Sequence, residues 1–381
     1  MKLIYLDHAA TTPISKEAIE AWLKTSEHYF ANTESLHEEG EKARQLFYTC
    51  KKELARVVNG ESEAVYFTGS GSEANLLALE SLYKANKYKG NHVITSSIEH
   101  PSVLSFFQRL EDQGRDVTYL PVQSDGTILL NTVKNSIRKD TILASIQHVN
   151  SEIGVIQPIK EIGQLLRRHR IIFHSDCVQS FGKVPLDLEN LPVDTITVSS
   201  HKIYGPKGIG AVIMNKDTPW KPVHPLTSHQ EGFRHGTIDL PGIAAFTTAA
   251  VHIHERMDKQ LDSFWTLRKY LLKKLKDSGI HFTVDGGEDV ETQLPSILAV
   301  SIAGIEGQLM MQRLDRYHIA ISTGSACQSG KQDPSRTMVA LQKTKQEIHR
   351  YFRLSFGKDT TKAQLDELAK RLVEIVQTVA V

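Results

Sequence analysis

Short apolar runs rich in β-branched residues alternate with longer amphipathic stretches along the first two thirds of the chain. The runs predict seven strands, at residues 64–68, 92–96, 117–120, 142–149, 171–174, 195–199 and 210–214. Between several of them the apolar positions recur at helical spacing, which predicts helices over residues 72–84, 102–113 and 159–169. This alternation is typical of an α/β fold in which helices cover a mostly parallel sheet.

The last third of the chain has a different pattern. A long helical stretch over residues 241–278 follows the seventh strand. Beyond it the pattern predicts three strands and a closing helix, at residues 297–302, 319–322, 352–356 and 361–378. We therefore expect a large domain over residues 14–250, with a mostly parallel seven-stranded sheet, and a smaller α+β domain built from residues 1–13 and 251–381.

Length and composition agree with two packed domains and exclude some classes of partner. The chain has 381 residues, 40% of them hydrophobic and 23% charged, which is ordinary for a globular protein with a substantial core. Its 45 basic and 44 acidic residues leave a formal net charge of +1. Without a strong field of either sign, we expect neither direct nucleic-acid binding nor a membrane surface as the main partner.

Cysteine usage bears on the compartment. The three cysteines, Cys50, Cys177 and Cys327, have spacings that match neither a disulfide framework nor a zinc site. No segment offers about 18 uninterrupted apolar residues for a membrane span, and the N-terminus lacks the apolar stretch of a signal peptide. We therefore expect reduced thiols and a cytoplasmic protein.

Candidate chemistry lies just after the predicted strands, where ligands of open α/β sheets bind. After the first strand, residues 67–75 hold a turn in which Gly69 and Gly71 let the backbone bend and Ser72 offers a hydroxyl. The amides of the following helix would then face a phosphate group. The same residues also suit an ordinary turn with a helix cap.

Three further strand ends carry residues suited to an aromatic cofactor with an aldehyde. His100 has a flat ring that can stack on the cofactor, and Asp176 can pair with a protonated pyridine nitrogen. Gln179 can reach the phenolic oxygen, and Lys202 is placed like the Schiff-base lysine of a pyridoxal phosphate (PLP) enzyme. Taken singly, these residues also suit a capping histidine, a capping aspartate and a solvated loop lysine.

Cys327 lies among small residues in the segment 322–330, which predicts an accessible loop. An exposed thiol together with an aldehyde-binding Lys202 suggests sulfur chemistry on an amino acid. The alternative for Cys327 is a packing cysteine, which is the role that we expect for Cys50 and Cys177.

The order of phosphate loop, ring-stacking histidine, aspartate and lysine resembles that of the fold-type I PLP enzymes. Within them, the chain resembles the class V aminotransferase-like group and, more narrowly, the NifS/IscS-type cysteine desulfurases. The segments that carry the resemblance span nearly the whole chain: Tyr5-Leu-Asp-His-Ala-Ala-Thr-Thr-Pro13, Glu99-His-Pro101, His148-Val-Asn-Ser-Glu-Ile-Gly-Val-Ile-Gln-Pro158, Asp176-Cys-Val-Gln179, Ser199-Ser-His-Lys202, Gly324-Ser-Ala-Cys-Gln-Ser-Gly330 and Arg353-Leu-Ser-Phe-Gly357.

The resemblance implies a role for each cofactor-site residue. Lys202 would form the Schiff base with PLP, and His100 would stack on the ring. Asp176 would pair with the pyridine nitrogen, and Gln179 would contact the phenolic oxygen. The phosphate would be held by a set of small and polar residues: Gly71, Ser72, Ser199, His201 and, from a second subunit, Thr237.

The resemblance also implies the substrate and the reaction. Arg353, with help from Asn150, would hold a carboxylate, since paired guanidinium donors match a carboxylate bidentately. The activity would be conversion of L-cysteine to L-alanine, with Lys202 moving the α-proton. Cys327, deprotonated with the help of a base such as His100, would take the sulfur as a persulfide.

Partners follow from the same resemblance. The persulfide would pass to a sulfur-acceptor protein, which in this family is an iron-sulfur scaffold, a thiolation enzyme that modifies tRNA or a dedicated cluster enzyme. A homodimer is expected because Thr237 would reach the site of a neighbouring subunit.

Other functions stay open on the sequence alone. One is a PLP-dependent aminotransferase or lyase that does not use Cys327, and another is a catalytically weak partner in a sulfur relay. A selenocysteine lyase would use the same residues. The segment 227–234 also departs from the glycine-rich pattern of the family, which bears on the site entrance contributed by the neighbouring subunit.

Overall fold

The computed structural model describes residues 3–287, 289–323 and 334–379. Its helices are α1 (Lys16–His28), α2 (Glu38–Arg56), α3 (Gly71–Asn86), α4 (Pro101–Asp112), α5 (Leu130–Ser136), α6 (Ile159–Arg168), α7 (Leu240–His254), α8 (Met257–Asp277), α9 (Gly307–Asp315), α10 (Arg336–Ala340), α11 (Lys345–Arg350) and α12 (Lys362–Val379). Its strands are β1 (Ile4–Tyr5), β2 (Val65–Thr68), β3 (His92–Ser96), β4 (Asp116–Leu120), β5 (Thr141–Ser145), β6 (Ile172–Asp176), β7 (Thr195–Ser199), β8 (Gly210–Met214), β9 (Phe282–Asp285), β10 (Ile297–Ile302), β11 (Ile319–Ala320) and β12 (Tyr351–Ser355). Short 3₁₀ turns lie at Ser62–Ala64, Ser200–Lys202 and His229–Gly232.

The strands predicted in the first two thirds of the chain form one seven-stranded sheet. Its order is β2-β8-β7-β6-β5-β3-β4, in which β8 runs antiparallel to both neighbours and the other pairs are parallel. All residues of β3, β5, β6 and β7 are buried, as expected of parallel strands covered on both faces. The predicted α/β fold with a mostly parallel seven-stranded sheet is confirmed.

The C-terminal third forms a separate antiparallel sheet of order β12-β10-β9. The N-terminal strand β1 pairs with β11, and Asp7 forms a bridge with Ser355 of β12. Thr12 then donates its backbone N–H to the carbonyl of His201 at 2.9 Å. Residues 4–12 therefore run from the C-terminal sheet to the end of β7.

One predicted helix is wrong in its extent. The stretch 241–278 is two helices, because α7 ends at His254 and α8 begins at Met257. Arg256 between them has φ −114° and ψ 3°, outside the helical region. The two helices also serve different cores: α7 packs into the apolar cluster around the seven-stranded sheet, and α8 into the cluster around the antiparallel sheet.

The strand predicted at 142–149 is shorter than expected, since β5 ends at Ser145. The chain beyond it still follows the neighbouring strand, with the His148 N–H bonded to the Asp176 carbonyl at 2.9 Å. The short strands β1 and β9 were not predicted because two to four residues carry too little alternation.

Cys50 and Cys177 are buried free thiols, as expected of packing residues. Burial raises the pKa of Cys50 to about 11 and that of Cys177 to about 12, so both are inert at neutral pH. Cys327 lies outside the described residues. In the part of the chain that is described, no helix has the length and apolar character to span a bilayer.

Candidate active site

The carboxyl ends of the parallel strands surround a cavity of about 340 Å³, a size typical of small-molecule sites. Its walls bring together most of the predicted site residues: Gly71, Ser72, His100, Asn150, Asp176, Gln179, Ser199, His201, Lys202 and Arg353. Thr237 is exposed and does not line this cavity within one chain. Cys327 cannot be placed because it lies outside the described residues.

One end of the cavity is built to receive an anion. Helix α3 begins at Gly71, its N-cap Ser70 accepts a hydrogen bond from the Glu73 amide, and its free amides face the cavity. A Cβ at Gly71 would stand 3.0 Å from the Ser199 Cβ, so a larger residue would crowd this end. The buried Ser199 hydroxyl has no hydrogen-bond partner among the described residues, and it is therefore available to a bound phosphate.

His201 lies at the same end, in the 3₁₀ turn after β7. Its Nδ1 is 3.1 Å from the Thr11 hydroxyl, which fixes the ring. Burial, followed by the charges of Lys202 and Lys183, lowers the pKa of His201 to about 4. The ring is therefore neutral at pH 7 and offers a hydrogen bond to an anion rather than a charge.

Asp176, the last residue of β6, is the buried carboxylate of the site. Its Oδ2 accepts from Asn75 Nδ2 at 2.7 Å and its Oδ1 accepts from the Val178 amide at 2.9 Å. Neither partner is a cation, and each carboxylate oxygen keeps a further lone pair. A protonated pyridine nitrogen would supply the charge that such a buried carboxylate needs.

Asn75 is a site residue that the sequence reasoning missed. It lies on the first turns of α3, is only 1% exposed and also contacts the hydroxyls of Ser102 and Thr197. Its amide thus holds the Asp176 carboxylate in one orientation. The sequence does carry a signal for this residue, because Asn75 is a polar residue on the apolar face of the helix predicted over residues 72–84.

His100 caps helix α4 and lines the cavity. Its Nδ1 accepts from the Ser102 amide at 3.2 Å and lies 2.7 Å from the Ser102 hydroxyl, which locks the ring in one orientation. Burial lowers the pKa of His100, against the opposing charge of Asp176. The capping interpretation and the ring-stacking interpretation are therefore compatible, because the cap holds a neutral ring against the cavity.

Lys202 ends the 3₁₀ turn after β7 and is held by the N-terminal segment. Its Nζ donates to the carbonyls of Ala9 and Ala10 at 2.5 and 2.8 Å. Gln179 Nε2 donates to the same Ala9 carbonyl at 2.8 Å and keeps a second N–H for another acceptor. The small residues of the N-terminal segment were not predicted as part of the site.

A different part of the cavity wall, at strand β12, presents a buried guanidinium. Arg353 Nη2 donates to Asp7 Oδ1 at 2.7 Å, and Nη1 donates to the Ser151 carbonyl at 2.9 Å. Its Nε is buried without a hydrogen-bond partner among the described residues. Asn150 lies beside it, with Nδ2 bonded to the Ile98 carbonyl at 3.2 Å. This part of the wall therefore suits a small carboxylate.

Two glutamates in the cavity wall were also missed. Glu99 is 5% exposed, and Oε1 accepts from Ser96 Oγ at 2.5 Å and from the Gln147 amide at 2.8 Å, while Oε2 has no described partner. Burial raises the pKa of Glu99 to about 8, so the side chain is mostly a neutral acid at pH 7. Glu152 accepts hydrogen bonds from Ser335 and Thr337 and so joins the loop after β5 to helix α10.

The residues present fit PLP. An anion cradle, a flat neutral imidazole, a buried carboxylate and a lysine amine surround one cavity, in the arrangement that a phosphorylated pyridine aldehyde requires. The unpartnered Ser199 hydroxyl and the Asp176 carboxylate, whose two hydrogen-bond donors are both uncharged, are groups that a phosphate and a protonated ring nitrogen would satisfy.

The comparisons with known proteins agree with this site. Residues 4–368 match the family described as aminotransferase class-V. A NifS protein of Bacillus subtilis strain 168 is 44% identical over 366 residues, which cover 96% of this chain and 93% of the relative. The cysteine desulfurase IscS of Dictyoglomus turgidum is 34% identical, with 99% of this chain and 96% of the relative covered.

Comparison with solved structures indicates the same family. A NifS-like protein superposes with a TM-score of 0.91 at 27% identity, covering 99% of this chain and 100% of that one. A structure of SspA in complex with cysteine has a TM-score of 0.81 at 32% identity, covering 93% and 98%. The chain therefore belongs to the class-V aminotransferase family and, within it, to the PLP-dependent cysteine desulfurases of the NifS/IscS type.

Proposed function

We propose that this protein converts L-cysteine to L-alanine with PLP and transfers the sulfur to Cys327, from which an acceptor protein collects it. The observation that carries the proposal is the shared cavity, whose wall brings together Lys202, Asp176, the anion cradle at the start of α3 and Arg353. A relative solved in complex with cysteine supports the substrate.

We assign the cofactor contacts to residues of this cavity. Asp176 would hold the protonated ring nitrogen, and His100 would stack on the ring. Gln179 would donate its free N–H to the phenolic oxygen. The phosphate would lie against Gly71, Ser72, Ser199 and His201, and Thr237 of a second subunit would complete this end. When bound, PLP supplies an electrophilic carbon and a ring that accepts electrons from the substrate.

The substrate carboxylate would bind beside Arg353 in the cavity. The guanidinium is preorganised because Asp7 and Ser151 hold its two terminal nitrogens. Asn150 would add an amide contact. A carboxylate held there would leave the amino group of the substrate to face Lys202, which lines the same cavity.

Proton movement falls to Lys202. The carbonyls of Ala9 and Ala10 hold its amine at the cavity wall, where it can take the α-proton of the substrate and return a proton to the product. His100 would be the base for the thiol that must become a thiolate, and to take that proton its Nδ1 must release the bond that it accepts from the Ser102 amide.

Sulfur transfer needs a nucleophilic thiolate at Cys327. The thiolate attacks the substrate sulfur, so an S–S bond forms as the Cβ–S bond breaks, and the substrate carbon takes the electron pair and a proton to become alanine. The product on the enzyme is a persulfide. A recipient thiol then takes the outer sulfur, and we expect an iron-sulfur scaffold, a thiolation enzyme or a dedicated cluster enzyme in that role.

We further propose a two-domain, homodimeric, cytoplasmic enzyme. The two large apolar clusters, one around each sheet, support a large domain at residues 14–250 and a small domain at residues 1–13 and 251–381. Thr237 is exposed on this chain, and this supports its use by a second subunit.

The decisive experiment measures alanine and sulfide from L-cysteine in the presence of a reducing thiol. Cys327→Ala should lose alanine formation while the absorbance of bound PLP persists, and Cys50→Ala, which removes a buried thiol, serves as the matched control. Unchanged turnover in Cys327→Ala would leave a PLP enzyme that does not use this thiol. Bound PLP without alanine from the wild type would instead indicate a sulfur-relay partner.

A further inference from the structure

A carboxylate lies in the first turn of helix α3, next to the residues that we assign to the phosphate. Glu73 directly follows Ser70, Gly71 and Ser72, which line the main cavity. An acidic residue in the first turn stabilises a helix, because it interacts favourably with the free amides there. The same charge repels an anion that binds at those amides. A phosphate at this position therefore meets an opposing charge unless Glu73 is neutralised.

Glu73 also shapes the turn between β2 and α3. Its Oε2 accepts a hydrogen bond from the Gly69 amide, and its own amide donates to the Ser70 hydroxyl at 3.1 Å. A Cβ at Gly69 would stand 2.9 Å from Glu73 Oε2, so this close approach requires glycine. The carboxylate is therefore part of the structure that forms the anion cradle.

Arg234 supplies the opposite charge. Its Nε lies 3.0 Å from each carboxylate oxygen of Glu73, and its Nη2 would lie 3.2 Å from a Cβ at Gly69. Among the described residues, Glu73 forms no other ion pair. The side chains of Arg234 and Glu73 are 27% and 34% exposed, so solvent and salt screen the pair only in part.

The segment that carries Arg234 is fixed on strand β2. Gln230 bonds both backbone groups of Phe67, at 2.6 and 2.8 Å. Phe233 is completely buried and stacks on Tyr66, with the ring centroids 4.6 Å apart. These contacts place the guanidinium against the phosphate turn of the same chain. The segment is part of the stretch that departs from the family pattern, and the function proposed above does not use it.

We propose that Arg234 is a positioning residue for the PLP phosphate, which neutralises Glu73 so that this carboxylate shapes the cradle without repelling the phosphate. The proposal rests on the proposed function, because it concerns the same cofactor. Within one chain Arg234 does not line the main cavity, so it acts through Glu73 and not as a phosphate ligand. A phosphate group carries more than one negative charge, so one unit of charge at this turn changes its binding free energy measurably.

The test measures the Kd for PLP by absorbance titration of cofactor-free protein at low ionic strength, and it needs no activity. Arg234→Gln should raise the Kd by about 3-fold to 10-fold, because the uncompensated carboxylate repels the phosphate. The double variant Arg234→Gln, Glu73→Gln carries neither charge, and its Kd should return to within about twofold of the wild type. Glu73→Gln alone keeps the cation and an acceptor for the Gly69 amide, so it should bind PLP at least as tightly as the wild type.

The rank order of the three variants separates charge from packing. If the ion pair only held the turn together, all three would bind PLP more weakly, and this result would overturn the proposal. An unchanged Kd in Arg234→Gln would overturn it as well. If Arg234→Gln did not fold, Glu73→Gln would still decide, since weaker PLP binding in that variant contradicts the repulsion that the proposal requires.

Pyridoxal, which lacks the phosphate, provides a second readout. Its Kd should be the same in Arg234→Gln and in the wild type, and a rise equal to that for PLP would show that the variant disturbs the whole site. Arg109→Gln is the matched control, because Arg109 pairs at 2.7 Å with Glu80, about two turns further along α3. Its Kd for PLP should equal that of the wild type, and a rise as large as in Arg234→Gln would contradict a local effect.

The same titration separates this proposal from the proposed function. Wild-type protein that binds no PLP would overturn the proposed function itself. Wild-type protein that binds PLP and forms no alanine would overturn the desulfurase activity, while the predicted order of Kd values would still support the role of Arg234.

Discussion

Asp7 and Arg353 form an ion pair of 2.7 Å between the segment after β1 and strand β12, with 18% and 6% of their side chains exposed. The two residues are 346 positions apart in the chain. Arg353 lines the main cavity, and Asp7 holds its guanidinium by one of the terminal nitrogens. A guanidinium forms shorter and stronger hydrogen bonds to a carboxylate than uncharged donors do, and the ion pair with Asp7 keeps this guanidinium in place for such a bond.

Asp7→Ala should weaken substrate binding rather than the chemical step. Without its carboxylate partner, the Arg353 side chain is free to rotate, so we expect KM for L-cysteine to rise about tenfold and kcat to change by less than about twofold. Steady-state alanine formation measures both. Asp116→Asn, which removes an exposed ion pair with Arg138, is the control. A lower KM in Asp7→Ala would mean that Asp7 competes with the substrate for the guanidinium.

Asn75→Ala should reduce affinity for PLP. The variant removes the donor to Asp176, so the carboxylate loses the orientation that a ring nitrogen needs, and we expect the Kd for PLP to rise by about 10-fold. Absorbance titration of cofactor-free protein with PLP gives the constant directly. Asn86→Ala is matched, because Asn86 is a buried asparagine on the same helix that bonds the Leu82 carbonyl instead. If the Kd for PLP rose equally in both variants, the cause would be a disturbed helix α3 and not the lost contact with Asp176.

Glu99 should make the stability of the fold depend on pH. Its pKa is about 8 in the folded protein and near the ordinary value in the unfolded chain, so the folded state binds the additional proton between these values. Stability from this group is therefore greatest at acid pH and falls as the pH rises through about 8. The free energies of unfolding of Glu99→Gln and of the wild type should therefore be compared at two pH values. Between pH 5 and pH 9, the free energy of unfolding of the variant should rise relative to that of the wild type by at most a few kcal/mol.

Chemical denaturation at pH 5, 7 and 9 measures this difference for cofactor-free protein. Glu61→Gln, an exposed glutamate outside the cavity, should show a constant difference from the wild type over the same range. A Glu99→Gln difference that does not grow with pH would show that the buried acid ionises normally.

Gln230→Ala should destabilise the edge of the seven-stranded sheet. The Gln230 carboxamide accepts from the Phe67 N–H at 2.6 Å and donates to the Phe67 carbonyl at 2.8 Å, in place of a neighbouring strand. Loss of both bonds leaves two backbone groups of the edge strand β2 unpaired, and we expect a loss of about 1–2 kcal/mol. Urea denaturation measures it. Gln108→Ala, which removes bonds between exposed side chains only, should change stability by less than about 0.5 kcal/mol.

The same contact explains how the chain accommodates its departure from the family pattern at residues 227–234. Gln230 adopts φ 45° and ψ 45°, and Glu231 follows with φ 58°, so two consecutive residues are left-handed without being glycine. The pairing with Phe67 stabilises that conformation. The shape of this loop depends on a strand 163 residues away and could not be predicted locally.

The sequence by itself determined the central strands and the order of the chemical groups at their ends. Runs such as His92–Ser96 and Thr195–Ser199 are predicted with the observed bounds, because a strand buried on both faces is rich in β-branched residues along its length. The placement of Lys202 and Asp176 in the site is predictable in the same way, since a residue at the carboxyl end of a parallel strand lies at the ligand-binding edge of the sheet.

Only the tertiary structure decided which groups hold those residues in place. Asn75 against Asp176 and Asp7 against Arg353 are contacts between different elements, and no local pattern marks them. The break between α7 and α8 has the same origin, because two cores, and not helix propensity, set where that chain turns. Backbone periodicity is a local property and is written in the sequence, whereas the protonation state and orientation of a buried side chain depend on the charges and dipoles that folding brings around it.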